Sequence, residues 1–140
     1  MNVLLDAFAL LAVLRDEPAA DEVLEIIDDG AGISSINAGE VLDKLRRAGS
    51  SDGEAEADLT GLGADVAHPP DRVVLDAGLL RGRHYHHRHR PLSLVDCVAA
   101  AHAAHLSVPL ATADPQLVAV VRAEGGDVRP LPDSTGRLPG

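Results

Sequence analysis

The sequence predicts an α/β fold in which a parallel sheet carries helices on both faces. Short apolar runs alternate with longer segments of helical periodicity along nearly the whole chain. This alternation is typical of strand–helix–strand units, whose strands pair in parallel. The length of 140 residues suits one domain. Ligands of such folds gather beyond the carboxyl ends of the strands.

The first strand and the first two helices are predicted from apolar patterning. Residues 2–5 form a short apolar run, which indicates a strand. Residues 7–15 are apolar on nearly every face, as expected for a buried helix. Residues 21–28 repeat apolar side chains at helical spacing and predict a second helix.

The next strand and helix are predicted from glycines and from a one-sided apolar face. Gly30 and Gly32 are expected to break the chain before a strand at residues 33–36. Residues 37–48 place valine and leucine side chains on one face of a helix. Gly49 then marks the end of that helix.

The middle of the chain gives weaker patterns. Residues 50–63 are polar and interrupted by glycines, and no element is predicted there. Residues 65–67 are a candidate short strand, closed by Pro69 and Pro70. Residues 73–80 begin another helix, which runs toward a segment rich in arginine and histidine.

The last third of the chain repeats the alternation. Residues 93–105 predict a helix of small and apolar side chains, and residues 108–111 predict a strand. Residues 115–122 predict a helix and residues 128–131 the last strand, with a glycine turn between them. The tail at residues 132–140 holds prolines and glycines and is expected to be flexible.

Composition limits the classes of protein that fit. The formal net charge is −10 and Lys44 is the only lysine, which argues against a general nucleic-acid coat protein. Cys97 is the single cysteine, which favours a reducing compartment. The apolar block at residues 7–14 is too short for a membrane helix, and no basic residue precedes it as in a signal peptide. We therefore expect a cytoplasmic protein that neither enters a membrane nor is secreted.

Positive charge is concentrated in residues 81–90, RGRHYHHRHR. One interpretation is the solvated end of a helix with its loop. A second is a patch that contacts phosphates, and a third is a transition-metal site held by histidines. In the second case the candidate phosphate contacts are Arg81, Arg83, Arg88 and Arg90.

Four carboxylates are expected at the same edge of the sheet. Asp6 directly follows the first predicted strand, and Glu40 opens the helix after the second. Asp96 opens the helix before the fourth strand, and Asp114 follows that strand. Because parallel strands end at one edge, these side chains are candidates for a shared site.

Each of these carboxylates also has a local structural explanation. Asp6 and Asp114 immediately precede helices, which is the position of an N-cap. Asn37 with Glu40 fits the spacing of a capping box, and Glu40 can also pair with Lys44 one turn later. Both interpretations, caps and a shared site, stay open for these residues.

Asp96 is the hardest of the four to explain locally. Ser93 stands three residues before it, which again fits a capping box. Its other helix neighbours are small and apolar, so no local cation neutralises it. If the four carboxylates converge, they repel one another, and a divalent cation is the simplest neutraliser where basic residues are scarce. Ligation by carboxylates alone selects Mg²⁺ or Mn²⁺, which can serve phosphodiester hydrolysis.

Four segments together carry a family resemblance: NVLLD ending at Asp6, NAGEVLDKL around Glu40, LSLVDCVAAAHA around Asp96 and ATADPQL around Asp114. They resemble PIN domains, in particular the small VapC-type ribonuclease toxins of bacterial toxin–antitoxin (VapBC) pairs. The similarity spans residues 1–131. It implies a three-layer α/β/α domain with a five-stranded parallel sheet.

The resemblance also implies an activity and a site. The implied activity is that of an endoribonuclease that depends on Mg²⁺, with Mn²⁺ able to substitute. Asp6, Glu40, Asp96 and Asp114 match the family's catalytic and metal-binding acids, and Thr112 matches a supporting hydroxyl residue. A homodimer and a cognate antitoxin are the implied protein partners.

Two positions depart from the family pattern. Ala7 stands where relatives commonly carry serine or threonine, and Gln116 stands where some carry another acid. These departures weaken the case for a second tightly held metal ion, so the expected number of ions is one or two.

The resulting hypothesis is hydrolysis of RNA phosphodiesters by metal-activated water, without a side-chain nucleophile. A receiver-like phosphoacceptor domain would need a lysine near the end of the last strand, and the segment VRPLPD has none. A phosphatase with two aspartates two residues apart does not fit, because Phe8 stands at the second position. A PIN-like interaction module without catalytic activity stays open as an alternative.

Overall fold

In the computed structural model, which describes residues 1–140, the chain folds into five strands and seven helices. The strands are β1 (Val3–Leu5), β2 (Ala31–Ser34), β3 (Asp65–Ala67), β4 (Leu110–Thr112) and β5 (Val128–Pro130). The helices are α1 (Ala7–Leu14), α2 (Ala20–Asp28), α3 (Ser35–Arg47), α4 (Asp52–Gly61), α5 (Asp71–His84), α6 (Leu94–Leu106) and α7 (Pro115–Ala123). None of the helices combines the length and apolar composition that crossing a membrane requires.

The strands form one parallel sheet with β1 at its centre. The strand order is β3-β2-β1-β4-β5. The chain winds outward from β1 to β3 through α1 to α4, and then crosses to β4 through α5 and α6. The direction of winding therefore reverses between β1 and β4, and parallel sheets bind their ligands beyond the carboxyl ends of the strands at such a switch point.

Two apolar cores hold the helices against opposite faces of the sheet. Leu5 of β1 packs in one core with side chains of α1, α2 and α3. The adjacent Leu4 packs in the other core with side chains of α5, α6 and α7. Successive residues of a strand point to opposite faces, so one strand serves both cores. The result is the predicted three-layer α/β/α domain.

The second strand lies two residues earlier than predicted. The prediction treated Gly32 as a chain break, whereas Gly32 is inside β2 and pairs with Asp65 of β3. A Cβ atom at Gly32 would lie 2.8 Å from the Asp65 carbonyl oxygen and would also overlap the Met1 side chain. The glycine is therefore needed for close approach inside the sheet, and Gly30, with φ of +104°, makes the turn before it.

The main further differences from the prediction concern α3, α4 and β4. Helix α3 begins at Ser35 with Ser34 at its N-cap position, so the predicted capping box of Asn37 and Glu40 is wrong. Helix α4 occupies the stretch for which no element was predicted, and Ser51 and Glu54 form a capping box at its start. Strand β4 begins at Leu110, two residues late, because the loop after α6 takes up residues 107–109.

The C-terminal tail follows β5 as a closed turn. The Asp133 carboxylate accepts hydrogen bonds from the amides of Thr135 and Arg137 at 2.8 and 3.0 Å. Pro139 is buried. The flexibility of residues 132–140 stays a prediction.

Candidate active site

Asp6 lies between β1 and α1, at the centre of the edge where the strands end. Its Oδ1 accepts a hydrogen bond from the Ala9 amide at 3.0 Å, so Asp6 is the N-cap of α1. Only 5% of the residue is exposed. The local capping interpretation is therefore correct, but the cap uses only one of the two carboxylate oxygens.

Burial disfavours the charged form of Asp6. It raises the pKa of the carboxyl from 3.8 to about 7, and the negative charges of Asp96 and Asp114 act in the same direction. Hydrogen bonding from the Thr112 hydroxyl and the Ala9 amide lowers the pKa but does not offset burial. Any cation bound beside Asp6 would favour its charged form.

Thr112 connects Asp6 with Asp114. The Thr112 side chain is fully buried, and its Oγ1 accepts a hydrogen bond from the Asp114 amide at 3.0 Å. The Asp114 Oδ1 in turn accepts from the Gln116 amide at 2.8 Å, which caps α7 ahead of Pro115. The hydroxyl thus sits against one aspartate side chain and the backbone of another, where it can orient both.

Asp96 stands in the first turn of α6 and is half-buried. Its amide donates to the Ser93 Oγ at 3.0 Å, so Ser93 is the N-cap. Burial raises the pKa of the Asp96 carboxyl, and the charge of Asp114 raises it further. Hydrogen bonds with Ser93 and the more distant charge of Lys44 lower the pKa only in part.

Glu40 lies in the second turn of α3 and is partly exposed. Burial raises the pKa of the Glu40 carboxyl, and the charge of Asp96 raises it as well. The charge of Lys44, one turn later, lowers the pKa, but the two side chains form no ion pair within 4.0 Å. Glu40 is therefore coupled to the other acids through Asp96.

Charge repulsion links the four predicted acids, but they do not form a closed metal shell. None of them forms a salt bridge with an arginine, lysine or histidine. No group of three or more histidine, cysteine, aspartate or glutamate side chains is arranged to hold a metal ion. The nearby charge of Lys44 offsets the repulsion at Glu40 and Asp96 only in part, and no cation forms an ion pair with any of the four acids.

This donor set fits a hard divalent ion. Mg²⁺ keeps several of its waters and is commonly bound through one or two carboxylates together with substrate phosphates, so it needs no full protein cage. Asp6 and Asp114 each commit one oxygen to a backbone amide and leave the other free of backbone amides. Carboxylate oxygens are the donors that Mg²⁺ and Mn²⁺ prefer.

A buried asparagine that the sequence did not predict as functional joins two helices of the site. Asn37 is 1% exposed, and its Nδ2 donates to the Val95 carbonyl oxygen at 3.2 Å. This bond fastens α3, which carries Glu40, to the first turn of α6, which carries Asp96. The Asn37 Oδ1 and the Ser34 Oγ are buried there without a hydrogen-bond partner. The only sequence signal was an amide in an otherwise small and apolar helix start.

The candidate phosphate-binding arginines have different surroundings. Arg81 donates through Nε to the Leu92 carbonyl oxygen at 2.8 Å. Arg83 pairs with Glu124 at 2.6 Å. The Arg90 guanidinium lies 3.3 Å from His84 Nδ1. The remaining candidate, Arg88, is exposed, and its guanidinium has no partner in the protein.

The sequence of this parallel α/β domain matches the model of a known protein family. The family model described as PIN domain matches residues 3–123. The chain belongs to the PIN domain family. No curated protein matches the chain by sequence.

Several solved structures share the fold. DNA-bound VapBC from Salmonella typhimurium superposes with a TM-score of 0.71 at 16% identity, covering 92% of this chain and 97% of that chain. VapBC2 from Rickettsia felis, bound to a DNA fragment from their promoter, gives 0.70 at 16% identity, with coverage of 92% and 98%. A toxin–antitoxin complex from Klebsiella pneumoniae gives 0.67 at 18% identity, with coverage of 84% and 91%. At these identities the likeness establishes the fold.

Proposed function

We propose that this protein is a metal-dependent endoribonuclease and the toxin of a toxin–antitoxin pair. The observation that carries the proposal is the set of Asp6, Glu40, Asp96 and Asp114, which are linked by charge repulsion and form no salt bridge with any basic side chain. Membership of the PIN family and the fold shared with VapBC structures support the same function.

In the proposed site, Asp6, Glu40, Asp96 and Asp114 would hold Mg²⁺ or Mn²⁺. When bound, the ion supplies a Lewis acid that activates water and balances the charge of the phosphodiester. The Ala9 amide holds Oδ1 of Asp6 and the Thr112 hydroxyl lies against the same carboxylate, so this carboxylate is oriented before substrate arrives.

The surrounding side chains favour water as the nucleophile. Cys97, next to Asp96, is fully buried, and burial raises the pKa of its thiol to about 11, so it stays protonated at neutral pH. The Ser93 hydroxyl is engaged in capping α6. In the proposed reaction the oxygen of water bonds to phosphorus as the bond to one ribose oxygen breaks.

The partners follow from the family and the related structures. A toxin of this class would be cytoplasmic, would be silenced by a cognate antitoxin and would act as a homodimer. Light scattering of the purified chain tests the dimer, and co-purification with the product of the adjacent gene tests the antitoxin.

Cleavage of labelled RNA by the purified chain tests the proposed activity. With Mg²⁺ or Mn²⁺ we expect cleavage that EDTA stops. Asp6→Asn and Asp96→Asn should each lower the rate by a factor on the order of a hundred or more while the fold is retained. Asp58→Asn, an exposed acid of α4 outside the site, is the matched control and should cleave normally.

Two results would contradict the proposal. Full activity of Asp6→Asn and Asp96→Asn would exclude the acids as the catalytic site. Lack of cleavage by the wild type with either ion, across structured and single-stranded RNA, would favour a PIN-like interaction module.

A further inference from the structure

The connection between α5 and α6 is an unusual part of the surface. Residues 85–90, named here the histidine hairpin, hold the only tyrosine of the chain and three of its seven histidines. Aromatic residues are otherwise nearly absent, since phenylalanine, tryptophan and tyrosine make up 1% of the sequence. Planar side chains are thus concentrated at one place, outside the apolar cores.

The histidine hairpin has a defined backbone. The amide of His86 donates to the Arg90 carbonyl at 2.9 Å, and the Arg90 amide donates back at 2.8 Å. The amides of Arg88 and His89 both donate to His86 Nδ1 at 3.2 Å. These bonds fix the backbone of the turn. Binding of a ligand therefore costs little conformational entropy in the backbone.

The rings of the hairpin are stacked and exposed. The His86 and His87 ring centroids lie 5.0 Å apart with 15° between the planes. The His86 and His89 centroids lie 4.6 Å apart with 29° between the planes. All three residues are exposed, and Tyr85 is 44% exposed with the Arg81 guanidinium 4.3 Å above its ring. Exposed flat rings beside guanidinium groups are the surface on which unpaired bases stack.

Of the four arginines in residues 81–90, three have a polar partner in the protein and one does not. Glu124 takes Arg83 and His84, and Arg90 faces the other nitrogen of His84. Arg88 alone among the arginines of this segment extends into solvent without a partner. One free guanidinium beside several rings suits a single strand, in which phosphates alternate with accessible bases.

The hairpin is close to Asp96 along the chain. Between Arg90 and Asp96 lie a few linker residues and the first turn of α6, so their Cα atoms are at most about 15 Å apart. The hydrogen bond from the Leu92 amide to the Arg90 carbonyl shortens the linker further. A strand held at the hairpin can therefore reach the acids within a few nucleotides.

We propose that the histidine hairpin is a binding site for single-stranded RNA, in which unpaired bases stack on the rings of Tyr85, His86, His87 and His89 and Arg88 contacts phosphate. The inference rests on the proposed nuclease function, because it assigns the hairpin to the same substrate. It narrows the substrate class to unpaired segments, since bases inside a duplex cannot reach the rings.

Fluorescence anisotropy tests the site separately from cleavage. The full chain carrying Asp6→Asn is titrated into a labelled, unpaired RNA of about 12 nucleotides, and into the same RNA as a duplex. On that background His87→Ser/His89→Ser should weaken binding of the single strand about tenfold or more. Arg88→Gln should weaken binding and reduce the slope of log K against log salt by about 0.7, whereas the histidine variant should leave the slope unchanged.

Two substitutions serve as matched controls. His105→Ser removes an exposed histidine from the last turn of α6, and Arg72→Gln removes an exposed arginine of α5 that pairs with Asp76. Both should bind the RNA as the parent does. The melting temperatures of all variants should match, because the changed side chains are exposed.

Three outcomes would overturn the inference: hairpin variants that bind like the controls, equal losses for the strand and the duplex, or displacement of the RNA by an acidic peptide with loss of peptide binding in Arg88→Gln. The nuclease proposal is judged independently. Hairpin variants with an intact acidic site should cleave with a raised KM and an unchanged kcat. If the hairpin variants lose RNA binding while the wild type cleaves no RNA, the hairpin remains the proposed binding site and the nuclease proposal is rejected.

Discussion

The Asp6 carboxyl makes the stability of the metal-free protein depend on pH. Its pKa is raised by burial to about 7, whereas the unfolded chain has a pKa of 3.8 at this position. Between these values the folded state holds the extra proton, so the free energy of unfolding falls as pH rises from about 4 to 7. The shift corresponds to at most about 4 kcal/mol.

Replacing Asp6 by asparagine should therefore stabilise the protein at pH 8 in the presence of a chelator. Asparagine caps a helix as well as aspartate does, so the bond to Ala9 can be kept. The melting temperature of Asp6→Asn should exceed that of the wild type by several degrees at pH 8, and the difference should vanish near pH 4. The exposed Asp58→Asn should show no such difference. An equal difference at both pH values would show that ionisation of Asp6 is not its source.

We expect the Asn37 side chain to contribute both to the stability of the fold and to the affinity of the site for metal. Asn37→Ala breaks the bond to the Val95 carbonyl and should destabilise the fold by about 1–3 kcal/mol. Because that bond fixes α3 against α6, the variant should also bind Mn²⁺ more weakly, as measured by calorimetry.

Ser34→Ala is the matched control for Asn37→Ala. The Ser34 hydroxyl is buried nearby without a partner, so its removal should leave stability unchanged or slightly higher. If Asn37→Ala loses stability but keeps full Mn²⁺ affinity, Asn37 packs the helices without positioning the acids.

Single residues show where prediction from sequence ends. Asp6 and Asp114 were predictable as caps because each immediately precedes a helix, and as site candidates because each lies shortly after a strand. The role of Asn37 was not, because its partner Val95 is 58 residues away and no local pattern encodes that contact. The pairing of Arg83 with Glu124 was likewise not predictable, because Glu124 lies 41 residues away at the end of α7.

At the scale of elements, β2 shows how a glycine can be misjudged. A glycine before an apolar run can indicate either a break or a close backbone approach, and only the neighbouring strand distinguishes the two. Helix α4 was missed for another reason. Its pattern is polar with a single buried residue, Ala55, so the capping box of Ser51 and Glu54 is its main local signal.

Gly32→Ala should destabilise the sheet markedly. The added Cβ would meet the Asp65 carbonyl oxygen at 2.8 Å, so β2 and β3 must separate or the Met1 side chain and backbone must shift. We expect a loss of about 1–3 kcal/mol in the free energy of unfolding, measured with urea. Gly78→Ala in α5 is the matched control, since nothing lies within 4 Å of its new Cβ. That helix-interior change should add about 0.5–1 kcal/mol, and equal effects of the two substitutions would contradict the close approach at Gly32.

At the scale of the molecule, the parallel α/β class was predictable and the strand order was not. Alternating strands and helices fix the class, but the order β3-β2-β1-β4-β5 depends on which edges pair across long crossovers. That order places β1 beside β4 and so brings Asp6 and Asp114 together at the switch point. The choice of the four acids used only the positions of strand ends and helix starts and did not require the order, and their shared site stays a proposal.

The whole chain should gain stability from divalent ions in a way that simple charge screening does not explain. With a formal charge of −10, any salt relieves self-repulsion to some degree. An ion that binds only the folded site adds about 2.7 kcal/mol at a hundredfold excess over its Kd, or roughly 5–10 °C in melting temperature. Thermal shift with millimolar Mg²⁺ or Mn²⁺, compared with KCl at equal ionic strength, separates the two effects.

Two substitutions separate metal binding at the site from charge screening. Asp96→Asn should keep the response to KCl and lose most of the extra response to Mg²⁺ and Mn²⁺, whereas Asp58→Asn should keep both. Asp96 is informative because burial and the charge of Asp114 both raise its pKa, so a bound cation relieves two costs at one group. A divalent shift no larger than that of KCl, or one that survives Asp96→Asn unchanged, would mean that the acids at the sheet edge do not form a metal site.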